Sequence, residues 1–364
     1  MMEQKLVDEL KKRELPDLFK MPDGKEIKTK EEWERLARPY WKNLLMQEEY
    51  GFLPKYIKPT TTITRNGVDF AGKGTWDEVL FTFNENGKEH LVPTQLILPN
   101  QRPIAIFVYL NFRSDIPDRY LPVEELIDNG FGVFTVCYND ITTDNGDFSN
   151  GLAGLFQHGE RKETDCGKLV YWAYMASHMM DFLIDFERVK GVPVGVCGHS
   201  RLGKTALLVG ALDERFKFVC SNESGCAGAA LARGRGNKGE SVDFIYNKFL
   251  YWFCSNYKKY CNNEEYMPFD QHALVALTAP RAVCIGGALD DEWADNDNQF
   301  LAGVACSKVW EMYGEKGVVS PDRLPVINDK FIDGKVGFFL RAGTHFHSRT
   351  DWHAYMEFVN KQKY

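Results

Sequence analysis

From residue 104 onward, short apolar segments typical of buried strands alternate with segments that have helical spacing. The ranges are, for predicted strands, 104–110, 132–138, 192–197, 216–220, 281–286 and 337–340, and for predicted helices, 121–129, 168–186 and 204–212. This alternation predicts a mostly parallel sheet with helices on both faces. Because no low-complexity linker interrupts it, we predict one α/β domain.

Residues 1–56 are predicted to form a helical extension that packs on this domain. Thr29 begins a capping-box-like sequence, and Trp33, Leu36 and Trp41 follow at helical spacing. Such a pattern favours an amphipathic helix whose apolar face needs a partner surface.

Residues 60–98 alternate in the manner of antiparallel strands. The segments 80–83 and 90–98 flank an Asn-Glu-Asn-Gly sequence at 84–87, which is a hairpin turn signal. We therefore predict antiparallel strands that lead into the parallel sheet, within a single domain over residues 1–364.

The composition excludes several classes of protein. The hydrophobic fraction of 44% and the charged fraction of 26% are typical of a globular protein. The net charge of −7 argues against nucleic-acid binding, because phosphate contacts need a basic surface. No segment approaches the roughly 18–20 apolar residues of a membrane span. We expect a monomer with neither nucleic acid nor membrane as a partner.

The N-terminus and the cysteines bear on the cellular compartment. Residues 1–6 lack the apolar core of a signal peptide, which favours a cytoplasmic protein. A chain that had lost an export signal would instead be secreted or periplasmic. The nine cysteines are scattered without a Cys-x-x-Cys pair, which predicts reduced thiols and no structural zinc. One or two disulfides are the alternative.

The strongest local signal is a predicted strand that runs directly into a glycine-containing turn and a helix. Residues 198–204 have the sequence Gly-His-Ser-Arg-Leu-Gly-Lys. A sharp turn of this kind lifts one side chain above the carboxyl end of the sheet, so we predict Ser200 as a nucleophile. The pattern departs from G-x-S-x-G, because Leu202 precedes the second glycine, Gly203. An ordinary turn with a serine helix cap is the alternative.

Serine needs a general base at neutral pH, and in α/β-hydrolases the chain order is serine, acid, histidine. His345 follows the last predicted strand in the sequence Gly-Thr-His-Phe-His, so we predict it as the base. His347 is the second candidate. A metal-binding His-x-His pair is another interpretation, but no nearby carboxylate cluster completes it. We therefore expect no metal and no cofactor.

Two carboxylates compete to orient the histidine. Glu223 follows the predicted strand 216–220, and Asp291 follows the predicted strand 281–286, which is the commoner position for the acid. The acid holds the imidazole tautomer and stabilises the imidazolium, so either side chain can serve if it reaches the ring. The sequence leaves both candidates open.

Two cations lie beside the predicted nucleophile. Arg201 can donate its backbone N–H to an oxyanion, and its guanidinium can add a charged donor. Lys204 lies on the first turn of the predicted helix and can bind a hydroxyl or carboxylate in the cleft. The alternatives are a structural ion pair for Arg201 and a solvated helix position for Lys204.

These residues resemble the glucuronoyl esterases, carbohydrate esterase family 15. The sequence at 198–204 is similar to the family signature G-[CH]-S-R-x-G-K, in which the arginine and the shifted glycine are normal. Other stretches agree in order and spacing, namely Glu31-Glu32-Trp33, Tyr50-Gly51, Ser221-Asn222-Glu223-Ser224-Gly225-Cys226, Asp270-Gln271-His272, Ala279-Pro280-Arg281, Asp291-Glu292-Trp293-Ala294-Asp295, Gly343-Thr344-His345 and Asp351-Trp352.

The resemblance implies an α/β-hydrolase fold, a three-layer αβα sandwich. It also implies hydrolysis of esters between 4-O-methyl-glucuronic acid on xylan and lignin alcohols. The implied roles are Ser200 as nucleophile, His345 as base, Glu223 as acid with Asp291 as the alternative or second acid, Arg201 as oxyanion stabiliser, and Lys204, Trp293 and Gln271 as substrate contacts.

The implied reaction is a two-step acyl transfer through an acyl-enzyme. An acetyl esterase or another carbohydrate carboxylesterase is an alternative with the same chemistry. A non-catalytic carbohydrate-binding homologue is a further alternative, because a fold does not guarantee an activity. The presence of Ser200, His345 and both acids argues against it.

Overall fold

The structure is a computed structural model that describes residues 4–157, 159–235 and 239–364. The strands are β1 (Thr60–Asp69), β2 (Gly74–Glu85), β3 (Lys88–Pro99), β4 (Ile106–Asn111), β5 (Gly132–Cys137), β6 (Val194–His199), β7 (Phe218–Asn222), β8 (Ala282–Ala288), β9 (Lys330–Phe331) and β10 (Val336–Arg341). The α-helices are α1 (Gln4–Lys11), α2 (Lys30–Glu32), α3 (Arg38–Leu45), α4 (Val123–Asp128), α5 (Tyr138–Ile141), α6 (Gly151–Phe156), α7 (Lys168–Asp185), α8 (Arg201–Leu212), α9 (Val242–Lys248), α10 (Gln271–Ala276), α11 (Asn296–Glu311) and α12 (Arg349–Lys361). Short 3₁₀ or π-helical segments cover Trp33–Ala37, Met46–Tyr50, Phe70–Gly72, Glu187–Val189, Leu250–Trp252, Ser255–Tyr260, Glu264–Tyr266 and Glu292–Ala294.

The ten described strands form one sheet in the order β1-β2-β3-β5-β4-β6-β7-β8-β10-β9. The central strands β5, β4, β6, β7, β8 and β10 run parallel, whereas β1 to β3 and β9 pair antiparallel with their neighbours. The predicted α/β-hydrolase architecture, with antiparallel strands leading into a mostly parallel sheet, is confirmed. The short antiparallel edge strand β9 was not predicted, because two residues carry no periodicity that a sequence pattern can detect.

The leading hairpin turns where the sequence predicts it. Asn86 and Gly87 separate β2 from β3 and have φ angles of 52° and 74°. Two successive positive φ angles match the right-handed twist of the flanking strands, which explains the Asn-Gly sequence.

Two apolar layers lie on opposite faces of the sheet, and β4 contributes to both. Ile106, Val108 and Leu110 belong to one buried cluster, and Phe107 and Tyr109 belong to the other. Side chains of a strand point alternately to its two faces, so both faces of this strand are covered. The result is the predicted three-layer sandwich.

The described part of the N-terminal segment packs on the larger cluster. Leu6, Leu18, Trp33 and Trp41 are all buried within it. Arg38 donates from Nη1 to the carbonyl oxygen of Leu277, 2.7 Å away, and so joins the segment to the end of α10.

The described ranges also bear on membrane association and on the state of the cysteines. No helix in the described ranges is both long enough and apolar enough to cross a lipid bilayer. All nine cysteines lie in the described ranges and are free thiols, eight of them buried.

Candidate active site

A one-residue turn joins β6 to α8 and raises Ser200 above the carboxyl end of the sheet. Ser200 has a φ of 59° and a ψ of −128°, a conformation that L-residues rarely adopt. Its backbone N–H donates to the Asn222 carbonyl oxygen at 2.8 Å, which ties the turn to β7. The helix begins at Arg201 rather than at the predicted Lys204, because the turn consumes a single residue.

Close packing explains both glycines of the turn. A Cβ atom on Gly198 would lie 2.1 Å from the carbonyl oxygen of Leu202, inside the first turn of α8. A Cβ atom on Gly203 would lie 2.9 Å from the carbonyl oxygen of Asn222 on β7. The second glycine therefore stands at 203 because that position of the helix faces β7.

Ser200 lines a pocket of about 360 Å³. Seven of the eight residues predicted for the site line it, namely Ser200, Arg201, Lys204, Glu223, Asp291, Trp293 and His345. The other lining residues are Glu240, Phe244, Lys248, Phe249, Trp252 and Ala294. The pocket thus combines ionisable groups with several aromatic rings, a composition suited to a sugar derivative.

His345 contacts both candidate acids. Its Nδ1 lies 2.6 Å from Oδ2 of Asp291 and 3.1 Å from Oε2 of Glu223. Burial by itself lowers the pKa of His345, but hydrogen bonds with Asp291 and Glu223 outweigh burial and raise it to about 9. The two acids that the sequence leaves open therefore act on the same imidazole.

Glu223 is additionally fastened to the end of β10. Its Oε1 accepts from Nη2 of Arg341 at 2.6 Å, and its Oε2 accepts from the backbone N–H of Phe346 at 3.1 Å. Arg341 also donates from Nε to Asp351 at 2.7 Å. Burial raises the pKa of Glu223 to about 7, against the opposing influence of His345 and Arg341. Glu223 therefore holds the loop that carries His345.

His347, the second candidate base, lies outside the pocket. It is fully buried, its Nδ1 lies 3.0 Å from the hydroxyl of Tyr109, and its ring stacks on Trp352 at 4.7 Å. Burial lowers the pKa of His347 to about 3. Because His347 is buried and does not line the pocket, it does not reach a substrate beside Ser200.

Three potential metal ligands converge near Ser200 in the described part of the chain. His199, Glu223 and His345 offer atoms that lie within 4.8 Å of one another. The His199 ring packs on the His345 ring at 4.4 Å, and its Nδ1 lies 3.1 Å from the side-chain amide of Asn222. Burial lowers the pKa of His199, which keeps this ring neutral beside His345.

Lys204 lines the pocket, and its ammonium group is hydrogen-bonded within the protein. It is buried, and its Nζ donates to the carbonyl oxygens of Ser224 at 2.5 Å and Cys226 at 2.6 Å and to Oε2 of Glu240 at 3.1 Å. An ammonium group has three N–H donors, so protein acceptors occupy all of them. Lys204 therefore holds the Glu240 carboxylate at the pocket wall.

Gln271 does not line the pocket, contrary to its predicted role as a substrate contact. It is fully buried, and its Nε2 donates to the carboxylate of Glu49, with distances of 3.1 and 3.2 Å to the two oxygens. Burial raises the pKa of Glu49 to about 8. The amide satisfies this buried carboxyl group, because a buried polar group without a partner is costly.

The aromatic residues of the pocket come mainly from a segment that the sequence analysis left unassigned. Trp293, which was predicted, is 56% exposed and packs against Phe244 at 4.8 Å. Phe249 and Trp252 stack in parallel, with ring centroids 3.9 Å apart. The high density of aromatic residues over 244–253 was the sequence signal that could have indicated a pocket wall. The same density is also typical of residues in a hydrophobic core.

A family model described as fungal glucuronyl esterase matches residues 82–314. The chain belongs to the glucuronoyl esterase family, carbohydrate esterase family 15. Its predicted class of enzyme, a carboxylic-ester hydrolase, is thereby confirmed.

Individual esterase relatives match over 83% to 97% of the chain. A carbohydrate esterase of an unknown prokaryotic organism is 30% identical, covering 95% of this chain and 89% of the relative. A 4-O-methyl-glucuronoyl methylesterase of Podospora anserina is 29% identical, covering 83% of this chain and 60% of the relative. The solved structure of a promiscuous family 15 esterase from a marine bacterial metagenome has a TM-score of 0.89 at 30% identity, covering 97% of this chain and 98% of that one.

Proposed function

We propose that this protein hydrolyses esters of 4-O-methyl-glucuronic acid through Ser200, with His345 as general base. The observation that carries the proposal is the contact of His345 Nδ1 with two carboxylates in the pocket that Ser200 lines. The family relationship supports the substrate, because several similar relatives are 4-O-methyl-glucuronoyl methylesterases.

The reaction proceeds in two steps. With Nδ1–H bound to the carboxylates, Nε2 of His345 is the nitrogen that takes the proton from Ser200 Oγ. The oxygen attacks the ester carbonyl, and the tetrahedral intermediate collapses when His345 returns the proton to the leaving alcohol. His345 then takes a proton from water as the water oxygen attacks the acyl carbonyl, and it returns this proton to Ser200 Oγ as the acyl–oxygen bond breaks and the uronic acid leaves. Asp291 and Glu223 stabilise the imidazolium in both steps.

Arg201 stabilises the oxyanion in this mechanism. It is the first residue of α8, so its backbone N–H belongs to the first-turn donors, which have no acceptor within the helix. The positive end of the helix dipole points to the same place. The guanidinium of Arg201 also lines the pocket and adds a charged donor.

Glu240 and Trp293 recognise the sugar. The Glu240 carboxylate is held by Lys204 and accepts from sugar hydroxyls. The exposed ring of Trp293 provides an apolar face for the C–H groups of a pyranose. The stacked pair Phe249 and Trp252 forms a further aromatic wall, which suits a lignin-type aromatic alcohol as the leaving group.

A broader carboxylesterase is the second candidate. The specific observation in its favour is the similarity to the marine esterase, which is described as promiscuous. Such an enzyme would use the same Ser200 mechanism but would accept acetyl esters as well as uronates.

The monomeric state and the cytoplasmic location stay predictions.

The two candidates are separated by hydrolysis of benzyl glucuronate, acetylated xylan and nitrophenyl acetate by the wild type and Ser200→Ala. A Ser200-dependent preference for the glucuronate ester supports the proposal. Comparable rates on all three favour the broader esterase. Turnover that survives Ser200→Ala contradicts both, provided that the variant retains the wild-type circular dichroism spectrum.

A further inference from the structure

The guanidinium of Arg201 is held by a carboxylate from a distant part of the chain. Nη1 of Arg201 donates to Oδ2 of Asp144, which lies in the loop between α5 and α6. The other oxygen, Oδ1, accepts from the indole Nε1 of Trp252 at 2.7 Å. The Asp144 side chain is only 11% exposed. One largely buried carboxylate therefore joins two pocket-lining residues, Arg201 and Trp252, that are 51 positions apart in the sequence.

Three aromatic rings lie close to the same guanidinium. The Arg201 Cζ atom lies 4.7 Å from the Trp252 ring centroid, 5.4 Å from that of Phe249 and 5.7 Å from that of Phe112. Guanidinium groups bind favourably to aromatic faces. Asp144 thus fixes one edge of the group while the rings restrict its rotation.

The loop that carries Asp144 is itself anchored. The backbone N–H of Asp144 donates to Oδ1 of Asn139 at 3.1 Å. Two residues of the buried helix α7 hold Thr142: Lys168 donates to its Oγ1 at 2.8 Å, and Trp172 donates to its carbonyl oxygen at 3.3 Å. The loop is therefore held by α7 two residues before Asp144, and support of this kind keeps a positioning side chain in place.

Asp144, Arg201 and Trp252 form a hydrogen-bonded group that is called the clamp here. The N–H groups of Arg201 that the clamp does not use can bind a ligand. Among the described residues, Asp144 is the hydrogen-bond acceptor of the guanidinium, through Nη1, while the buried Nε has no partner. Among the described residues, the N–H groups of Nη2 and the second N–H of Nη1 have no protein acceptor, so they remain available to a ligand in the pocket that Arg201 lines. An arginine side chain carries about 2 kcal/mol of rotamer entropy, so an arginine ordered before the reaction stabilises an oxyanion without that loss.

We propose that Asp144 is a positioning residue for ester hydrolysis, which holds the guanidinium of Arg201 toward the oxyanion. The inference rests on the proposed function, because it takes the oxyanion role of Arg201 from the serine mechanism. Asp144 does not touch the substrate and acts through Arg201. Trp252 shares the carboxylate, so the same clamp also fixes one aromatic wall of the pocket.

The test is a double-mutant cycle of Asp144→Ala and Arg201→Ala, with kcat and KM measured on benzyl glucuronate. In the wild-type background, Asp144→Ala lowers kcat by about 10–50-fold and leaves KM within about 3-fold, because the lost interaction is made in the transition state. In the Arg201→Ala background the same substitution lowers kcat by less than about 2-fold. Equal losses in both backgrounds, or no loss in either, overturn the inference.

Two further variants protect the experiment against misfolding. Asp144→Asn keeps the size of the side chain and removes its charge, so it should show a smaller kcat loss of the same kind. Asp147→Asn is the matched control, because Asp147 lies in the same loop and its carboxylate contacts Ser149 and Asn150 outside the pocket. Asp147→Asn should leave kcat unchanged.

The failure of this inference is distinguishable from failure of the proposed function. If the wild type does not hydrolyse benzyl glucuronate, the uronate function is contradicted. The same cycle measured on nitrophenyl acetate then still decides whether Asp144 acts through Arg201. If the wild type hydrolyses the glucuronate and the cycle shows no coupling, only the role of Asp144 is wrong.

Discussion

His345 and Asp291 are joined by a 2.6 Å contact between Nδ1 and Oδ2, although 54 positions separate them in the sequence. Glu223 approaches the same nitrogen at 3.1 Å but is also bound to Arg341. The two acids therefore differ in their contacts with groups other than His345. Asp291 is directed at the imidazole, whereas Glu223 also secures the loop after β10.

The pH dependence of kcat/KM should reflect the raised pKa of His345. The base must be neutral to accept the Ser200 proton, and a pKa of about 9 keeps it protonated at neutral pH. We therefore expect kcat/KM to rise with pH well above the ordinary histidine value of about 6.5. The measurement is the initial rate on benzyl glucuronate from about pH 5 to about pH 10.

Asp291→Asn should move this rise to lower pH, because it removes a negative charge that stabilises the imidazolium. Blanks without enzyme and with Ser200→Ala are needed, since esters hydrolyse spontaneously in alkaline solution. A wild-type midpoint near 6.5 would show that the two carboxylates do not raise the pKa of His345.

Substitution of the two acids should separate catalysis from stability. Asp291→Asn should lower kcat by about 10–100-fold, less than the loss of a sole triad acid, because Glu223 still contacts His345. Glu223→Gln should lower the free energy of unfolding by about 2 kcal/mol, because Arg341 and the backbone N–H of Phe346 lose a charged acceptor while Arg341 keeps Asp351. Urea denaturation and steady-state kinetics of both variants test this division.

A double variant, Asp291→Asn with Glu223→Gln, should lose activity by about 10⁴-fold. The opposite pattern, in which Glu223→Gln is stable and inactive while Asp291→Asn is fully active, would make Glu223 the working acid.

Glu240→Gln should weaken binding of uronate esters without affecting the chemistry. We expect a rise of about 10-fold in KM for benzyl glucuronate, because a hydrogen bond to a charged group contributes about 1.5 kcal/mol. Nitrophenyl acetate, which has no sugar hydroxyls, should be hydrolysed at the wild-type rate. Glu265→Gln, an exposed glutamate outside this pocket, is the matched control.

Trp293→Ala should likewise raise KM for the glucuronate ester, since it removes the exposed aromatic face of the pocket. Tyr266→Ala is its control, because Tyr266 is also an exposed aromatic residue but does not line the pocket. A glucuronate KM that is unchanged in both Glu240→Gln and Trp293→Ala would place the sugar elsewhere.

Gly198→Ala should disturb the turn that carries Ser200. The added Cβ would lie 2.1 Å from the Leu202 carbonyl oxygen, so the backbone must shift, at a cost of about 2–3 kcal/mol in stability. Displacement of Ser200 should lower kcat by about 100-fold. Gly146→Ala, whose added Cβ meets nothing within 4 Å, should leave both quantities unchanged. Full activity in Gly198→Ala would show that the turn tolerates a side chain.

Local sequence patterns were sufficient for the architecture and the nucleophile turn. Period-two alternation, an Asn-Gly turn and apolar strands followed by helices predict the sheet, because each pattern reports on neighbouring residues. Ser200 and Arg201 are adjacent in one strand–turn–helix passage, so their juxtaposition is encoded by the local sequence. His345 could be placed because the base follows the last strand in this chain order.

Packing between distant segments decided the surroundings of Lys204 and Gln271. Whether Lys204 faces a ligand depends on carbonyl oxygens at 224 and 226 and on Glu240, none of which its own helix specifies. Gln271 is withdrawn from the pocket because a buried carboxyl at Glu49 needs a donor.

The sequence by itself therefore determined the fold class, the nucleophile turn and the identity of the family, because these depend on residues close together in the chain. Only the tertiary structure decided that both acids contact His345, that the ammonium group of Lys204 is bound to Glu240 and two carbonyl oxygens, and that Asp144 binds Arg201. Each of these relationships joins residues at least 20 positions apart, and only the folded sheet brings such residues within hydrogen-bond distance.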